Sequence, residues 1–472
     1  MKIFTRTLPI LFICFQLILI TTSIQAQNYV LSGTVSQLPS KKVFLISVKG
    51  HNEKIIDSAE VKNNYFQFHI SSKTPSGMYK ILLYQPAHRA DDDDKPTDLS
   101  IIFNKEDIVF STNFMAITDS MRIFLSKENT VYYNYLKRTD ESGVKLDVLN
   151  QMPQFFPRKD DFYPTIRKQY NKELKNYLSY VKQIQKEYAG TLAIRYIKSD
   201  MLPILQFDII TAEKNEFLKR HFFDNLDFSD TLLLNTDIFA NKAIKYIKLF
   251  QNPYYMKPIQ DKEYERAVDT IMTKASSSDK VYDYLLGYLI DGFDRIDDEE
   301  VLTYISDHYS SDKRCKDNDH MTRLNKRVEG YKKIAIGTVA PDISVKDING
   351  KTITFADVTT QYTLLVFWAS WCPHCAEELP DLKKTYEKQT TKKLEVVAIS
   401  VDTNMVAWAD FIKKGGYNWI NCAEFAGWDS RAAQDYYIYA TPTMILLNKD
   451  KKIISKPKTI KELNKLLKEL GV

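Results

Sequence analysis

Residues 364–380 read LLVFWASWCPHCAEELP and decide the fold of the C-terminal part of the chain. The stretch opens with an unbroken apolar run, Leu364 to Trp368, which is typical of a buried strand in a parallel sheet. After a short turn, Cys372 and Cys375 begin a segment whose apolar residues have helical spacing. This order of strand, turn and helix puts Cys372 at a helix N-terminus, where free backbone N–H groups and the helix dipole favour a thiolate.

The two cysteines of this segment predict a dithiol that can be oxidised and reduced. Pro373 suits the first helical turn, because its missing N–H would have had no partner there. A zinc site would need two more ligands, and no second C-x-x-C or H-x₃₋₅-H pattern occurs at a usable spacing. A structural disulfide would close a very short loop and remove little chain entropy. We therefore expect redox chemistry at Cys372 and Cys375, with no metal and no cofactor.

Several separated motifs resemble one family. FWASWCPHC followed by E-x-P is similar to the thioredoxin fold, specifically to the TlpA/ResA-like extracytoplasmic thiol-disulfide oxidoreductases. Residues 337–351 (GTVAPDISVKDINGK) resemble the N-terminal segment and β-hairpin of that family, and Asn349-Gly350 predicts the hairpin turn on physical grounds as well. Residues 439–443 (YATPT) resemble its cis-proline loop, with Ala440 where glycine is usual. The resemblance covers residues 335–472.

The resemblance implies a role for each matching residue. Cys372 would attack a partner disulfide, and Cys375 would resolve the mixed disulfide. Thr441 would precede a cis Pro442, which an X-Pro bond allows at low cost, in a loop that binds an extended substrate chain through backbone hydrogen bonds. Trp371 would shield the nucleophile, with plain packing as the alternative.

Two further residues beside the dithiol are candidates for proton transfer and redox tuning. Glu378 lies one helical turn after Cys375, where ResA-like proteins carry a glutamate, and its carboxylate could take the proton that Cys375 must lose. A solvated helix charge is the alternative for Glu378. His374, together with Pro373, would tune the dithiol: an N–H-donating imidazole stabilises the Cys372 thiolate and favours the reduced pair. Pro-His is also the pair found in DsbA, a strong oxidant.

The first 26 residues have the pattern of a targeting segment. Lys2 and Arg6 precede an apolar run from Leu8 to Ile20, and a polar stretch ends at Ala26, which fits a cleavage site. The apolar run is short for a membrane span. We expect cleavage after Ala26 and a periplasmic or otherwise exported protein, with an uncleaved anchor as the alternative.

The remaining chain divides into three predicted domains. Residues 27–116 alternate β-rich runs with turns, which is typical of a small antiparallel β-sandwich, and resemble a domain of unknown function that precedes TlpA-like domains in exported proteins of Gram-negative bacteria. Residues 117–333 have helical periodicity and predict an all-α domain without a chemical motif. Residues 334–472 are α/β with the thioredoxin order of elements, and they contain all 5 tryptophans of the chain.

Charge and the remaining cysteines limit the partners. The formal net charge of +5 is small for 472 residues, and basic residues are scattered among acids, so we expect no nucleic acid. The expected partners are protein disulfides and dithiols, together with an outside electron donor, for which a membrane protein is a candidate. The sequence does not indicate the oligomeric state. Cys315 and Cys422 are interpreted as an exposed and a buried thiol, with a bridge between them as the alternative.

The sequence thus predicts an extracytoplasmic thiol-disulfide oxidoreductase, a reductase by its family. One alternative is a disulfide oxidase or isomerase with a DsbA-like potential. Another is a surface binding or scaffold protein with incidental redox activity. A peroxiredoxin-like peroxidase shares the fold but would need a P-x-x-x-T-x-x-C context, whereas FWASW precedes Cys372.

Overall fold

The computed structural model describes residues 28–84, 96–209, 211–315, 319–389 and 392–472. The predicted targeting segment therefore lies outside the described residues. The chain is divided into two compact units between Leu249 and Phe250. Within the described ranges, no helix combines the length and the apolar character needed to cross a bilayer.

The first unit begins with two four-stranded sheets. The strands are β1 Asn28–Ser36, β2 Lys42–Lys49, β3 Asn52–Glu60, β4 Tyr65–Ser71, β5 Gly77–Tyr84, β6 Thr97–Phe103, β7 Ile108–Asn113 and β8 Arg122–Leu125. The sheet orders are β4-β1-β7-β8 and β3-β2-β5-β6, and alternate residues of β4, Phe66, Phe68 and Ile70, are buried in the shared core. The predicted sandwich is confirmed, but β1 and β7 pair in parallel rather than antiparallel. No hairpin joins these two strands, so local sequence does not fix their relative direction.

Helices complete the first unit. They are α1 Ile117–Ser120, α2 Lys127–Gln151, α3 Tyr163–Glu187, α4 Leu192–Asp200, α5 Thr211–His221 and α6 Ile238–Lys248. Val181 and Ile184 of α3 are buried, as expected for a helix with one apolar face, and the helix ends shortly before Gly190, whose φ of +87° is left-handed.

The described part of the second unit begins with the α-helices α7 Lys257–Ala275, α8 Asp279–Arg295, α9 Glu299–Tyr309 and α10 Asp319–Lys333. We call residues 257–333 the helical subdomain. The helical region that the sequence predicts is therefore shared between the two compact units. Nothing in its periodicity indicates the division near residue 250.

The C-terminal α/β domain has the predicted thioredoxin-like architecture. Its elements are β9 Val345–Lys346, β10 Thr352–Ile353, β11 Tyr362–Trp368, α11 Pro373–Glu387, β12 Leu394–Ser400, α12 Met405–Gly415, β13 Ile420–Ala423, α13 Arg431–Asp435, β14 Thr443–Leu447, β15 Ile453–Ser455 and α14 Ile460–Glu469. The central sheet has the order β13-β12-β11-β14-β15, with β11 parallel to β12 and antiparallel to β14. The unbroken apolar run of β11 is explained by this central position, where both faces are covered.

Two shorter features complete this domain. β9 and β10 form the predicted hairpin, and Gly350 in its turn has a φ of +80°. β13 is a fifth strand, parallel to β12, that the sequence pattern did not predict. It is only 4 residues long and contains Asn421, whose buried side chain accepts a hydrogen bond from the indole of Trp419. A polar residue in so short a run hides the strand from pattern analysis.

Candidate functional site

The central strand and the helix that follows it place the first cysteine as predicted. Cys372 is the N-cap residue of α11, and Pro373 occupies the first helical turn. The backbone N–H of Cys375 donates a hydrogen bond to the Cys372 Sγ over 3.2 Å. Such a bond at a helix N-terminus stabilises negative charge on the sulfur, because the N–H groups there have no partner within the helix.

The proline loop lies directly against this cysteine. The Thr441-Pro442 peptide bond is cis, which confirms the prediction from the sequence. The Cys372 thiol donates a hydrogen bond to the Thr441 carbonyl oxygen over 3.3 Å. The structure thus brings together the two motifs that the sequence places 69 residues apart.

The two thiols have different surroundings. Cys372 retains 4% of its surface exposed, whereas Cys375 is 0% exposed. Burial is the main cause that raises the pKa of Cys375, and its hydrogen bond with Cys372 raises it further. Cys372 is therefore the sulfur that a partner can reach, and Cys375 needs to lose a strongly held proton before it can act.

A buried carboxylate fixes the turn that precedes the dithiol. Asp402, 1% exposed, accepts hydrogen bonds from the Ser370 backbone N–H (2.8 Å) and the Ser370 hydroxyl (2.7 Å). The Ser400 hydroxyl donates a third bond to it over 2.6 Å. Sequence reasoning missed this residue. One feature of the sequence could have indicated Asp402: it is an acidic residue directly after a buried apolar strand. The carboxyl ends of parallel strands are where functional sites lie in α/β folds.

The other predicted site residues take varied positions around α11. The Glu378 carboxylate accepts a hydrogen bond from the Ile460 backbone N–H over 3.0 Å and so ties α11 to the start of α14. Its role as a proton carrier stays a prediction. His374 has 81% of its side chain exposed, with its Nδ1 at 3.8 Å from Glu377 Oε2. Trp371 is half-exposed and meets Trp428 edge to face at a ring separation of 6.2 Å.

The cysteine outside the motif that can be assessed is a buried free thiol, as interpreted from the sequence. Cys422 lies on β13, and burial raises its pKa to about 12. The side chain of Cys315 lies outside the described residues. Across the part of the chain that the structure describes, no group of three or more His, Cys, Asp or Glu side chains is placed to hold a metal ion.

Three features of the site define a class of protein. They are a reachable cysteine at the start of the helix after the central strand, a buried second cysteine one helical turn later, and an adjacent cis-proline loop. They are the parts of a thioredoxin-fold thiol-disulfide oxidoreductase. Comparison with known proteins supports this class. The model of the AhpC/TSA family matches residues 336–456.

Curated relatives carry a more specific name. "Thiol-disulfide oxidoreductase ResA" of Bacillus thuringiensis subsp. konkukian (strain 97-27) is 30% identical over 149 residues, which are 30% of this chain and 84% of that protein. The protein of the same name from Bacillus subtilis (strain 168) is 29% identical over 133 residues, 28% of this chain and 73% of that protein. Through its C-terminal domain, the chain belongs to the ResA-type thiol-disulfide oxidoreductases.

Matches to the rest of the chain and to a solved structure complete the comparison. Residues 29–137 match the domain of unknown function DUF4369 and residues 203–333 match DUF5106, so the predicted β-rich domain of unknown function is confirmed. A solved thiol-disulfide oxidoreductase from Bacteroides fragilis NCTC 9343 is 35% identical, covering 28% of this chain and 99% of that one, with a TM-score of 0.26.

Proposed function

We propose that this chain is an extracytoplasmic thiol-disulfide reductase that acts on exported proteins through the Cys372-Pro373-His374-Cys375 dithiol. The observation that carries the proposal is the position of the Cys372 sulfur. It lies between a helix N-terminal N–H group and the Thr441 carbonyl, beside a buried second thiol. A thiolate at this position can attack a disulfide, and Cys375 can then release Cys372 from the mixed disulfide.

The proposed reaction moves two electrons from the dithiol to a substrate disulfide. The Cys372 thiolate attacks one substrate sulfur, forms a mixed disulfide and releases the other substrate sulfur as a thiolate, which takes up a proton. Cys375 then loses its proton and attacks the Cys372 sulfur. This step releases the second substrate thiol and leaves a Cys372–Cys375 disulfide. An outside dithiol donor, for which a membrane protein is a candidate, would reduce that disulfide and restore the enzyme.

Two features near Cys372 support reduction as the net direction, and they act against the thiolate-stabilising bond from the Cys375 N–H. A strong oxidant of this fold owes its potential to a highly stabilised thiolate in the reduced form. Here the Thr441 carbonyl oxygen faces the sulfur and opposes negative charge on it. The imidazole of His374 is largely exposed and lies near the carboxylate of Glu377, so solvent and the opposite charge weaken its effect on the sulfur. The oxidase or isomerase function remains the second candidate, on the observation that His374 stands inside the motif.

The proposal includes a cellular location, and it competes with two other functions. We propose that residues 1–26 direct export and are removed after Ala26, which would place the dithiol in the periplasm. Function as a peroxidase is disfavoured by FWASW before Cys372. If the protein were a scaffold with incidental redox activity, its function would lie in the β-sandwich and the helices. Loss of the dithiol would then leave that binding function unchanged.

Trapping of the mixed disulfide tests the proposal. The reduced full chain is mixed with insulin as a polypeptide disulfide, and released insulin thiols and covalent complexes are measured. We expect the native chain to reduce one insulin disulfide per molecule, Cys375→Ser to form a stable mixed disulfide, and Cys372→Ser to do neither. Cys422→Ser is the matched control, because it also removes a buried thiol but lies outside the motif and should react like the native chain. Insulin thiols released equally by Cys372→Ser and the native chain would refute the assignment.

A further inference from the structure

Two tyrosines directly before the cis-proline loop contact the helical subdomain. Tyr437 and Tyr439 come just before Thr441, and their side chains contact α10 and the turn after α8. Tyr439 is half-exposed, so it also forms part of the surface beside the loop. A helical segment without any chemical motif therefore contacts the residues that come directly before the cis-proline loop.

The Tyr439 side chain is held on several sides. Its hydroxyl donates a hydrogen bond to Asp297 Oδ1 over 2.5 Å, and the Arg327 guanidinium lies 3.9 Å from its ring centre. Arg327 also donates a hydrogen bond to the Tyr331 hydroxyl. Asp297 also binds Lys458, which precedes α14. Because Asp297 lies in the turn between α8 and α9 and Arg327 lies on α10, Tyr439 cannot shift without breaking contacts with the subdomain.

The Tyr437 side chain is held by close packing. Its backbone has a φ of +53°, a left-handed value that a residue with a bulky side chain rarely adopts. A Cβ atom on Gly330 of α10 would lie 2.2 Å from Cγ at the base of the Tyr437 ring, and Lys333 donates a hydrogen bond to the Tyr437 hydroxyl over 2.8 Å. The subdomain therefore holds a strained backbone position five residues before the cis proline.

The segment that contains Tyr437 and Tyr439 is followed directly by the residues of the cis-proline loop. Thr441 is two residues after Tyr439, and its carbonyl accepts the hydrogen bond of the Cys372 thiol. A displacement of Tyr437 or Tyr439 would move this short connection. An extended polypeptide that pairs with the loop depends on the position of the loop, whereas a small disulfide needs only to reach the Cys372 sulfur.

We propose that the helical subdomain positions the loop at residues 437–442 through Tyr437 and Tyr439, and thereby makes the dithiol effective on polypeptide disulfides rather than on small ones. Tyr437 and Tyr439 are positioning residues in this account. The inference rests on the proposed function, since it assumes that polypeptide disulfides are substrates.

A pair of glycine substitutions in the full chain tests this inference. Gly330→Ala on α10 puts a methyl group where the base of the Tyr437 ring lies, so the packing between α10 and Tyr437 must shift. Gly292→Ala on α8 is the matched control, because its Cβ meets no atom within 4 Å. Both changes favour helix formation equally. We measure exchange with insulin and with oxidised glutathione, together with amide hydrogen exchange in residues 436–443.

The expected result separates the two kinds of substrate. Gly330→Ala should slow exchange with insulin by about ten-fold, because small misplacements in a site have large effects on rate, while exchange with glutathione stays within about two-fold. Amide exchange in the loop should rise in Gly330→Ala and stay unchanged in Gly292→Ala. Equal effects on both substrates, or insulin rates equal to those of Gly292→Ala, would overturn the inference.

A second variant covers the case in which Gly330→Ala does not fold. Tyr439→Phe keeps the ring over Arg327 but removes the hydrogen bond from the hydroxyl to Asp297. Its control is Glu299→Gln, which weakens the Glu299–Lys456 ion pair of 3.4 Å between the subdomain and the α/β domain. Slower exchange with insulin alone is expected for Tyr439→Phe, and no difference between the two variants would contradict the inference. A native chain that exchanges with neither substrate would instead refute the proposed function.

Discussion

Replacement of Asp402 by alanine should destabilise the C-terminal domain through the turn that carries the dithiol. The buried carboxylate accepts three hydrogen bonds, from the Ser370 N–H, the Ser370 hydroxyl and the Ser400 hydroxyl. A hydrogen bond to a charged group contributes about 1.5–3 kcal/mol, and a buried donor without a partner carries a further cost. Since water entering the new cavity recovers part of the loss, we expect Asp402→Ala to lower the free energy of unfolding by about 3–5 kcal/mol.

Smaller changes at the same place should give graded losses. Ser370→Ala removes one donor and should cost about 1–2 kcal/mol. Asp402→Asn keeps one acceptor oxygen but turns an NH₂ group toward donors, so its cost should lie between those of the other two variants. The order of the three variants therefore tests whether the carboxylate itself holds the turn.

Tryptophan fluorescence provides the assay. All 5 tryptophans lie in residues 334–472, so their emission during urea unfolding reports this domain alone. Alkylation of Cys372, measured in parallel, should become faster in Asp402→Ala because the turn loosens. An Asp402→Ala variant within about 0.5 kcal/mol of the native chain would refute the reasoning, since that is the range of neutral surface substitutions.

The remaining predictions concern other groups. Burial lowers the pKa of Lys242 from 10.5 to about 8, a shift that corresponds to about 3 kcal/mol. Below pH 8, Lys242→Met should therefore unfold at a higher temperature than the native chain in calorimetry of the first unit, and this gain in stability should shrink toward pH 10.5. A gain that does not change with pH would contradict this. If Glu378 carries the proton of Cys375, Glu378→Gln should slow resolution of the mixed disulfide by about 100-fold at unchanged stability; a merely anchoring role at Ile460 predicts an unchanged rate. Because burial raises the pKa of Cys375, the native resolution rate should increase with pH above neutrality, and a flat stopped-flow profile would exclude this.

Local chemistry explains what the sequence could predict. A buried apolar strand, a helix opened by Cys372-Pro373 and an Asn-Gly hairpin each depend on neighbouring residues, and each was found where expected. The contact between Cys372 and Thr441 joins distant parts of the chain, and it was predictable only because both motifs resemble one family.

Long-range contacts explain what the sequence could not predict. Asp402 acts on a turn 32 residues away, and Tyr439 binds Asp297 across 142 residues, so neither relation leaves a periodic pattern. β13 is short and contains a polar residue. The division near residue 250 falls within a continuous helical region, where periodicity is the same on both sides.

The reduction potential of the dithiol tests the central claim most directly. The purified chain is equilibrated in glutathione buffers, and the fraction of the Cys372–Cys375 disulfide is measured with Cys372→Ser as the control. The account predicts a two-electron transition closer to the potential of thioredoxin, about −270 mV, than to that of DsbA, about −120 mV. A value near that of DsbA would contradict the reductase assignment, and the absence of any transition would contradict redox function altogether.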